Sequence, residues 1–282
     1  MGTGVRTAVL ALCLVTAGCT GFIGSEGAAS TETMTPAPVP DSPPPRVAPG
    51  LTGTGVADAD TLVRAHVAGL SNTSFTVEHR RAVDDVGGTR RVQQTTRAEI
   101  SAGYRSYTAF RRVSGPSVTD QVIRTHSEDR RAIQWILGDG TNSSRIVADG
   151  QGIGGPPRPP RDALFFEPTY HERVRALFLG ANVTAVVPAR AEVVKLHGTR
   201  VFRVRADGAA NRSRFPVTPA ERVGDVSFTA TVSPAGVVHS YGVQYTVVRN
   251  GTRLRVTESL RYTDLGVTTV DADEAGRNTT AR

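Results

Sequence analysis

Residues 226–262 read VSFTATVSPAGVVHSYGVQYTVVRNGTRLRVTESLRY, and this stretch decides the fold. Apolar side chains recur at every second position, and in the middle segment Val237, Tyr241, Val243, Tyr245 and Val247 share one phase. Successive side chains of a strand point to opposite faces, so a period of two predicts half-buried strands. We place them at Val226 to Ser233, Val237 to Val248 and Arg253 to Tyr262, with Pro234-Ala235-Gly236 as the first turn. Asn250-Gly251 predicts a two-residue hairpin, because the favoured turn needs positive φ at both central positions.

The same alternation extends upstream. Phe75, Val77 and His79 alternate with Thr76, Glu78 and Arg80 before the turn residues Asp84 to Gly88. Further strands are expected at Arg90 to Ile100, Tyr104 to Val113, Thr119 to Thr125, Ala132 to Leu137, Ser144 to Ala148, Ala191 to Leu196 and Thr199 to Arg205. The connections within these runs are too short for parallel crossovers, so the strands form an antiparallel meander. A helix is expected from Asp60 to Leu70, capped by Asp60, with Leu62, Val63, Val67 and Leu70 on one face. A second runs from Thr169 to Leu179, where Thr169 and Glu172 have capping-box spacing and Gly180 ends the helix. Thr218-Pro219-Ala220-Glu221 suggests a short third one. The fold class is therefore α+β: a curved antiparallel sheet, or half-barrel, with a few covering helices, in one domain spanning residues 51–270. Tyr170, Val174, Leu177 and Phe178 form the apolar stripe of the second helix, and we expect them to contact a lipid or other apolar ligand in a cavity between helix and sheet.

The 282-residue chain begins with a different kind of signal. After Arg6, the apolar run Ala8 to Val15 leads to Thr16-Ala17-Gly18-Cys19. This reads as a secretory signal peptide over residues 1–18 that ends in a lipobox-like site. The run is shorter than the roughly 20 apolar residues that span a bilayer. Cys19 is the expected lipid-attachment residue, anchoring the chain to the extracytoplasmic face of the cell membrane. Residues 19–50 are rich in Ser, Thr, Gly, Ala and Pro, including Pro43-Pro44-Pro45, and read as a tether. Residues 271–282 read as a disordered tail.

All six Asn residues head an Asn-X-Ser/Thr triplet: Asn72, Asn142, Asn182, Asn211, Asn250 and Asn278. In a secreted chain these are candidate N-glycosylation sites. The competing explanation is that Asn, Ser and Thr share a preference for turns.

Net charge is +7, carried almost entirely by Arg. The pairs Arg80-Arg81, Arg90-Arg91, Arg111-Arg112 and Arg130-Arg131 fall in or beside strands, so each sends one guanidinium to each face. That distribution builds no dense stripe, and nucleic acid is not an expected partner. Cys13 and Cys19 are the only cysteines, which excludes a disulfide framework or a Cys-based zinc site. Gly150, Gly152 and Gly155 match a dinucleotide-binding glycine pattern, but Pro156-Pro157 follows where that site needs a helix N-terminus. The six His residues show no ligand spacing, and neither a serine-hydrolase elbow nor a zinc-protease motif occurs. Glu167, Glu172 and Asp162 are expected in capping or solvated roles. No catalytic residue, metal or cofactor is expected.

The lipobox, the Thr/Pro tether, Pro49-Gly50-Leu51-Thr52, Leu70 to Val77 and the closing Tyr262 to Val270 resemble uncharacterised haloarchaeal surface lipoproteins. The basic charge departs from the acidic habit of haloarchaeal proteins. In its order of elements the chain also resembles LolA-like and LppX/LprG-type lipoproteins, a topological similarity that implies a half-barrel enclosing a lipid-sized cavity and assigns no residues. Three function classes stay open: a membrane-anchored lipoprotein that binds a lipid or apolar ligand, a structural or protein-interaction surface lipoprotein, and an enzyme whose site is assembled from distant segments.

Overall fold

The structure is a computed structural model that describes residues 44–116, 118–128, 131–138, 143–148, 166–190, 200–211, 214–215 and 222–270. The signal peptide, Cys19, most of the tether, Asn142, Asn278, the Gly150–Gly155 motif, the strand expected at Ala191 to Leu196, the Thr218 box and the tail lie outside the described residues.

Three short strands, β1 (Arg46–Ala48), β2 (Leu51–Thr52) and β3 (Gly55–Val56), form a small antiparallel sheet ahead of helix α1 (Ala59–Ser71). The turn between β1 and β2 requires glycine. Gly50 has φ 73°, a Cβ there would stand 2.0 Å from the Asp58 carbonyl oxygen, and its own carbonyl accepts from Ala57 N at 2.9 Å and Asp58 N at 3.1 Å.

The remaining strands make one 11-stranded antiparallel sheet. In chain order they are β4 (Phe75–Asp85), β5 (Arg90–Ile100), β6 (Tyr107–Gly115), β7 (Val118–Glu128), β8 (Arg131–Gly138), β9 (Ser143–Ala148), β10 (Ala185–Arg190), β11 (Arg200–Gly208), β12 (Arg222–Val232), β13 (Val238–Arg249) and β14 (Thr252–Thr263). In space the order is β10-β11-β12-β13-β14-β4-β5-β6-β7-β8-β9. The last strand thus pairs with the first of the large sheet, through Tyr262↔Val77, Leu260↔His79 and Glu258↔Arg81, and joins two meanders into one. The sheet does not close on itself, so the architecture is a curved half-barrel with few helices. At the β13–β14 hairpin Asn250 (φ 49°) and Gly251 (φ 77°) both adopt the left-handed conformation that the Asn-Gly pair predicts.

One face of the sheet, here called the inner face, carries α1 and α2 (His171–Gly180). Val226, Phe228, Ala230 and Val232 of β12, Tyr241, Val243, Tyr245 and Val247 of β13, and Val256, Leu260 and Tyr262 of β14 are all buried there. Leu62, Val63 and Leu70 of α1 and Val174, Leu177 and Phe178 of α2 complete a single core cluster.

Local details differ from the sequence reading. Asp58, not Asp60, caps α1 by accepting from Thr61 N at 2.9 Å. Asp60 instead takes Arg175 Nε of α2 at 2.5 Å. α1 runs through Gly69, where a Cβ would meet Val237 Cγ2 at 2.4 Å, so close packing against the residue that leads into β13 explains this glycine, and the C-cap is Asn72. The start expected for β6 at Tyr104 is a 3-10 turn (Ala102–Tyr104), and the strand begins at Tyr107. The partner of β11 is β10, running from Ala185 to Arg190; its Pro188 sits on an edge strand, where a missing N–H is tolerated.

Candidate ligand-binding face

α2 begins with an irregular turn. Tyr170 is its N-cap residue, with φ 50° and ψ 29° and no side-chain capping bond, so the Thr169–Glu172 box does not form. The Glu167 carboxylate does the capping instead, accepting from Thr169 N at 2.9 Å through Oε1 and from His171 N at 2.9 Å through Oε2. A left-handed non-glycine residue typically costs about 1–3 kcal/mol, and persists where its surroundings over-determine it. Here the Tyr170 ring stacks 4.9 Å from His79 and 5.6 Å from Phe166.

Beside this turn lies a buried ion pair. Glu258 is 2% exposed and sits in phase with Val256 and Leu260 on the inner face. Arg173 of α2 reaches down to it, donating Nε to Oε1 at 2.9 Å and Nη2 to Oε2. Tyr241 Oη also donates to Oε1, at 2.7 Å, and Tyr245 Oη lies 3.4 Å from Arg173 Nη2. Burial alone would push the Glu258 carboxyl up. The His79 contact and the Arg173 charge outweigh burial and hold it well below the usual carboxylate range. His79 Nε2 lies 3.2 Å from Oε1.

A second polar junction ties α1 to the sheet. His66 is fully buried, its Nε2 donating to Thr169 O at 2.9 Å while Nδ1 accepts from Val238 N at 3.2 Å. These two bonds fix the neutral tautomer, and burial pulls the pKa down to about 4.

Of the residues expected to contact ligand, Val174 and Leu177 are 0% exposed and Phe178 is 2% exposed, with Phe178 edge-on to Phe228 at 5.3 Å. Tyr170 is only partly buried and marks the border of the covered region. Ridges of α2 fill the inner face over β12 to β14, so Val174→Trp should overpack this core and lower stability by about 1–3 kcal/mol. Urea denaturation measures it; an unchanged midpoint would reveal unfilled space beneath α2.

Past Tyr170 the inner face changes character. The register aligns Leu260, His79, Thr96, Arg111 and Ile123 in one row across β14, β4, β5, β6 and β7. The adjoining row holds Glu258, Arg81, Gln94, Val113 and Gln121. Val83 and Val92 face each other one step further along. Val83, Val92, Val113 and Ile123 are each only partly buried, as are Arg81, Gln94 and Arg111. The face is thus apolar with interleaved basic residues.

Glu258, Arg173, His79, Arg81 and Arg111 fall in no site motif of the sequence. A signal was present: Glu258 occupies the apolar phase of β14, where only a partnered charge is tolerated. Among the described residues no group of three or more His, Cys, Asp or Glu is arranged to hold a metal ion. Of the glycosylation candidates, Asn72, Asn182, Asn211 and Asn250 are all exposed, at helix ends, loops or the hairpin tip.

No family model and no curated protein matches the chain. Among solved structures, a DUF1329 family protein from Desulfovibrio piger is similar at 8% identity and a TM-score of 0.27, over 79% of this chain and 97% of that one. MucB, solved in complex with MucA(peri), is similar at 10% identity and a TM-score of 0.14, over 73% of this chain and 94% of that one. At TM-scores this low neither likeness bears on fold or function.

Proposed function

We propose that this chain is a membrane-anchored surface lipoprotein, attached through Cys19, whose inner sheet face binds a lipid or other apolar ligand. The observation that carries the ligand reading is the uneven cover of that face by the described residues. The contacts of α2 run over Phe228, Tyr245 and Glu258, and its N-cap Tyr170 reaches β4 at His79. Beyond them Val83, Val92, Val113 and Ile123 are partly buried side chains on one continuous face, and burying such a strip against an acyl chain is favourable at about 25 cal/mol per Å². Tyr170 is the expected ligand contact at the border, while Val174, Leu177 and Phe178 support the floor beside it. No helix of the described residues is long and apolar enough to cross a membrane, and covalent lipid on Cys19 supplies the attachment. Two acyl chains, or one chain plus basic contacts, are what stable anchoring needs. The exposed Asn72, Asn182, Asn211 and Asn250 are placed to carry glycans on such a surface protein.

The test is mass spectrometry of organic extracts from protein purified out of its own membranes. A co-purifying acyl lipid, distinct from the Cys19 modification and present at a substantial fraction of the protein, is the expected result. Extracts free of any such molecule would favour the structural or protein-interaction role instead. In parallel, Cys19→Ser should move the protein from the membrane fraction to the medium, and full membrane retention would contradict anchoring by lipid.

A further inference from the structure

We infer that the ligand of this face is an acidic amphiphile, its carboxylate or phosphate head held between Arg81 and Arg111 while its tail lies along Val83, Val92, Val113 and Ile123. This deepens the ligand reading above and rests on it.

The charge arrangement on the inner face is lopsided. Glu258 is directly across from Arg81 in the sheet, yet its oxygens are taken by Arg173 and Tyr241 and contacted by His79. Among the described residues, no carboxylate lies within ion-pair distance of Arg81 or of Arg111. The polar neighbour of Arg111 is Gln94 Oε1, 3.4 Å from its Nη2, and its Nε is buried with no hydrogen-bond partner. Arg81 on β4 and Arg111 on β6 therefore stand one row and two strands apart on a partly covered apolar face, with no ion-pair partner among the described residues.

Buried polar groups beside them point the same way. His79 is 5% exposed; its Nε2 lies against Glu258 at 3.2 Å, while its Nδ1 meets no hydrogen-bond partner. Thr96 is 1% exposed; its hydroxyl faces the Tyr170 phenol without reaching hydrogen-bond geometry. His79, Thr96 and Arg111 are consecutive cross-strand neighbours, so these unmet groups cluster at one place. Buried polar groups are nearly always hydrogen-bonded, and an unmet one costs about 1–3 kcal/mol. An oxyanion supplies what the cluster lacks: acceptors for the guanidinium forks, with geometry that arginine meets two bonds at a time. The surrounding valines and Ile123 match a hydrocarbon tail and would disfavour a small hydrated anion alone.

Binding of dodecanoate, dodecyl phosphate, dodecanol and inorganic phosphate to the full-length chain tests this, with Arg81→Gln and Arg111→Gln variants checked for folding by circular dichroism. Both acids should bind at least about tenfold tighter than dodecanol, the ratio that about 1.4 kcal/mol of charge-assisted hydrogen bonding provides. In the double variant that preference should fall to within about twofold, since the charged contact has gone. Equal affinity for dodecanol and the acids in the parent protein would overturn the acidic head and leave apolar binding standing. Displacement of dodecanoate by inorganic phosphate at low concentration would overturn the amphiphile in favour of a free anion. Binding of none of the four would remove both this inference and the ligand reading.

Discussion

Arg173→Met should destabilise the protein by about 3–5 kcal/mol, the cost of leaving a buried charge without its partner. Glu258 has 1% of its side chain exposed and takes two bonds from this one guanidinium, so removing Arg173 strands a carboxylate in a low-dielectric core. Of the remaining neighbours, Tyr241 Oη at 2.7 Å is a neutral donor and His79 Nε2 at 3.2 Å offers one ring nitrogen, so neither restores the two-bond guanidinium contact. Urea denaturation gives the size directly, provided the slope stays that of the parent. The double variant Arg173→Met/Glu258→Met should recover much of the loss, because an apolar pair of similar volume is often neutral relative to a buried salt bridge. A single variant within about 0.5 kcal/mol of the parent, the range of ordinary surface substitutions, would mean that solvent reaches Glu258 and that the ion pair does not hold α2 to the sheet.

Acid should weaken the fold in a window set by His66. The folded state holds its imidazole neutral with a pKa of about 4, against an ordinary value of 6.5. A depressed histidine pKa contributes stability that is complete above about pH 6.5 and is lost as pH falls toward 4. The full difference corresponds to about 3 kcal/mol. Protonation forces Nδ1, which accepts from Val238 N at 3.2 Å, to become a donor facing another donor. His239 is also pulled down by burial and adds loss of the same sign. Glu258, held low, contributes only further into acid, below the ordinary carboxylate pKa. His66→Gln keeps a donor and an acceptor without a titrating group, so its stability should vary much less between pH 6.5 and 4.5. Parallel pH profiles for parent and variant, measured by chemical denaturation at each pH, would assign the acid sensitivity elsewhere.

The strands were largely legible because their signal is local. Alternation in 226–262 marks buried positions almost one for one, and Asn250-Gly251 specifies its own turn. Two of the four arginine pairs follow the one-to-each-face reading: Arg80 is exposed while Arg81 is partly buried, and Arg112 is exposed while Arg111 is partly buried; Arg90 and Arg91 are both exposed, and the side chains of Arg130-Arg131 lie outside the described residues. Harder to read was what each inward arginine meets. That depends on β14 pairing with β4, a contact between segments far apart in the chain that no local pattern encodes. The caps show the same limit at short range. Asp58 and Asp60 are chemically equal candidates, and Arg175 on a different helix takes Asp60. Glu167 was expected as a cap, but its use required Tyr170 to turn left-handed so that the ring could lie on His79, a tertiary effect.

The central claim is that a ligand lies on the inner face over β4 to β7, beside the region that α2 fills. A photoactivatable fatty acid, cross-linked to the full-length chain and mapped by peptide mass spectrometry, tests it most directly. Cross-links should fall on β4, β5 and β6 around Val83, Val92 and Val113 and on Tyr170, and should be competed by unlabelled dodecanoate. Cross-links confined to the outward-facing residues, such as Arg80, Arg97 and Arg112, or none that dodecanoate suppresses, would contradict the account.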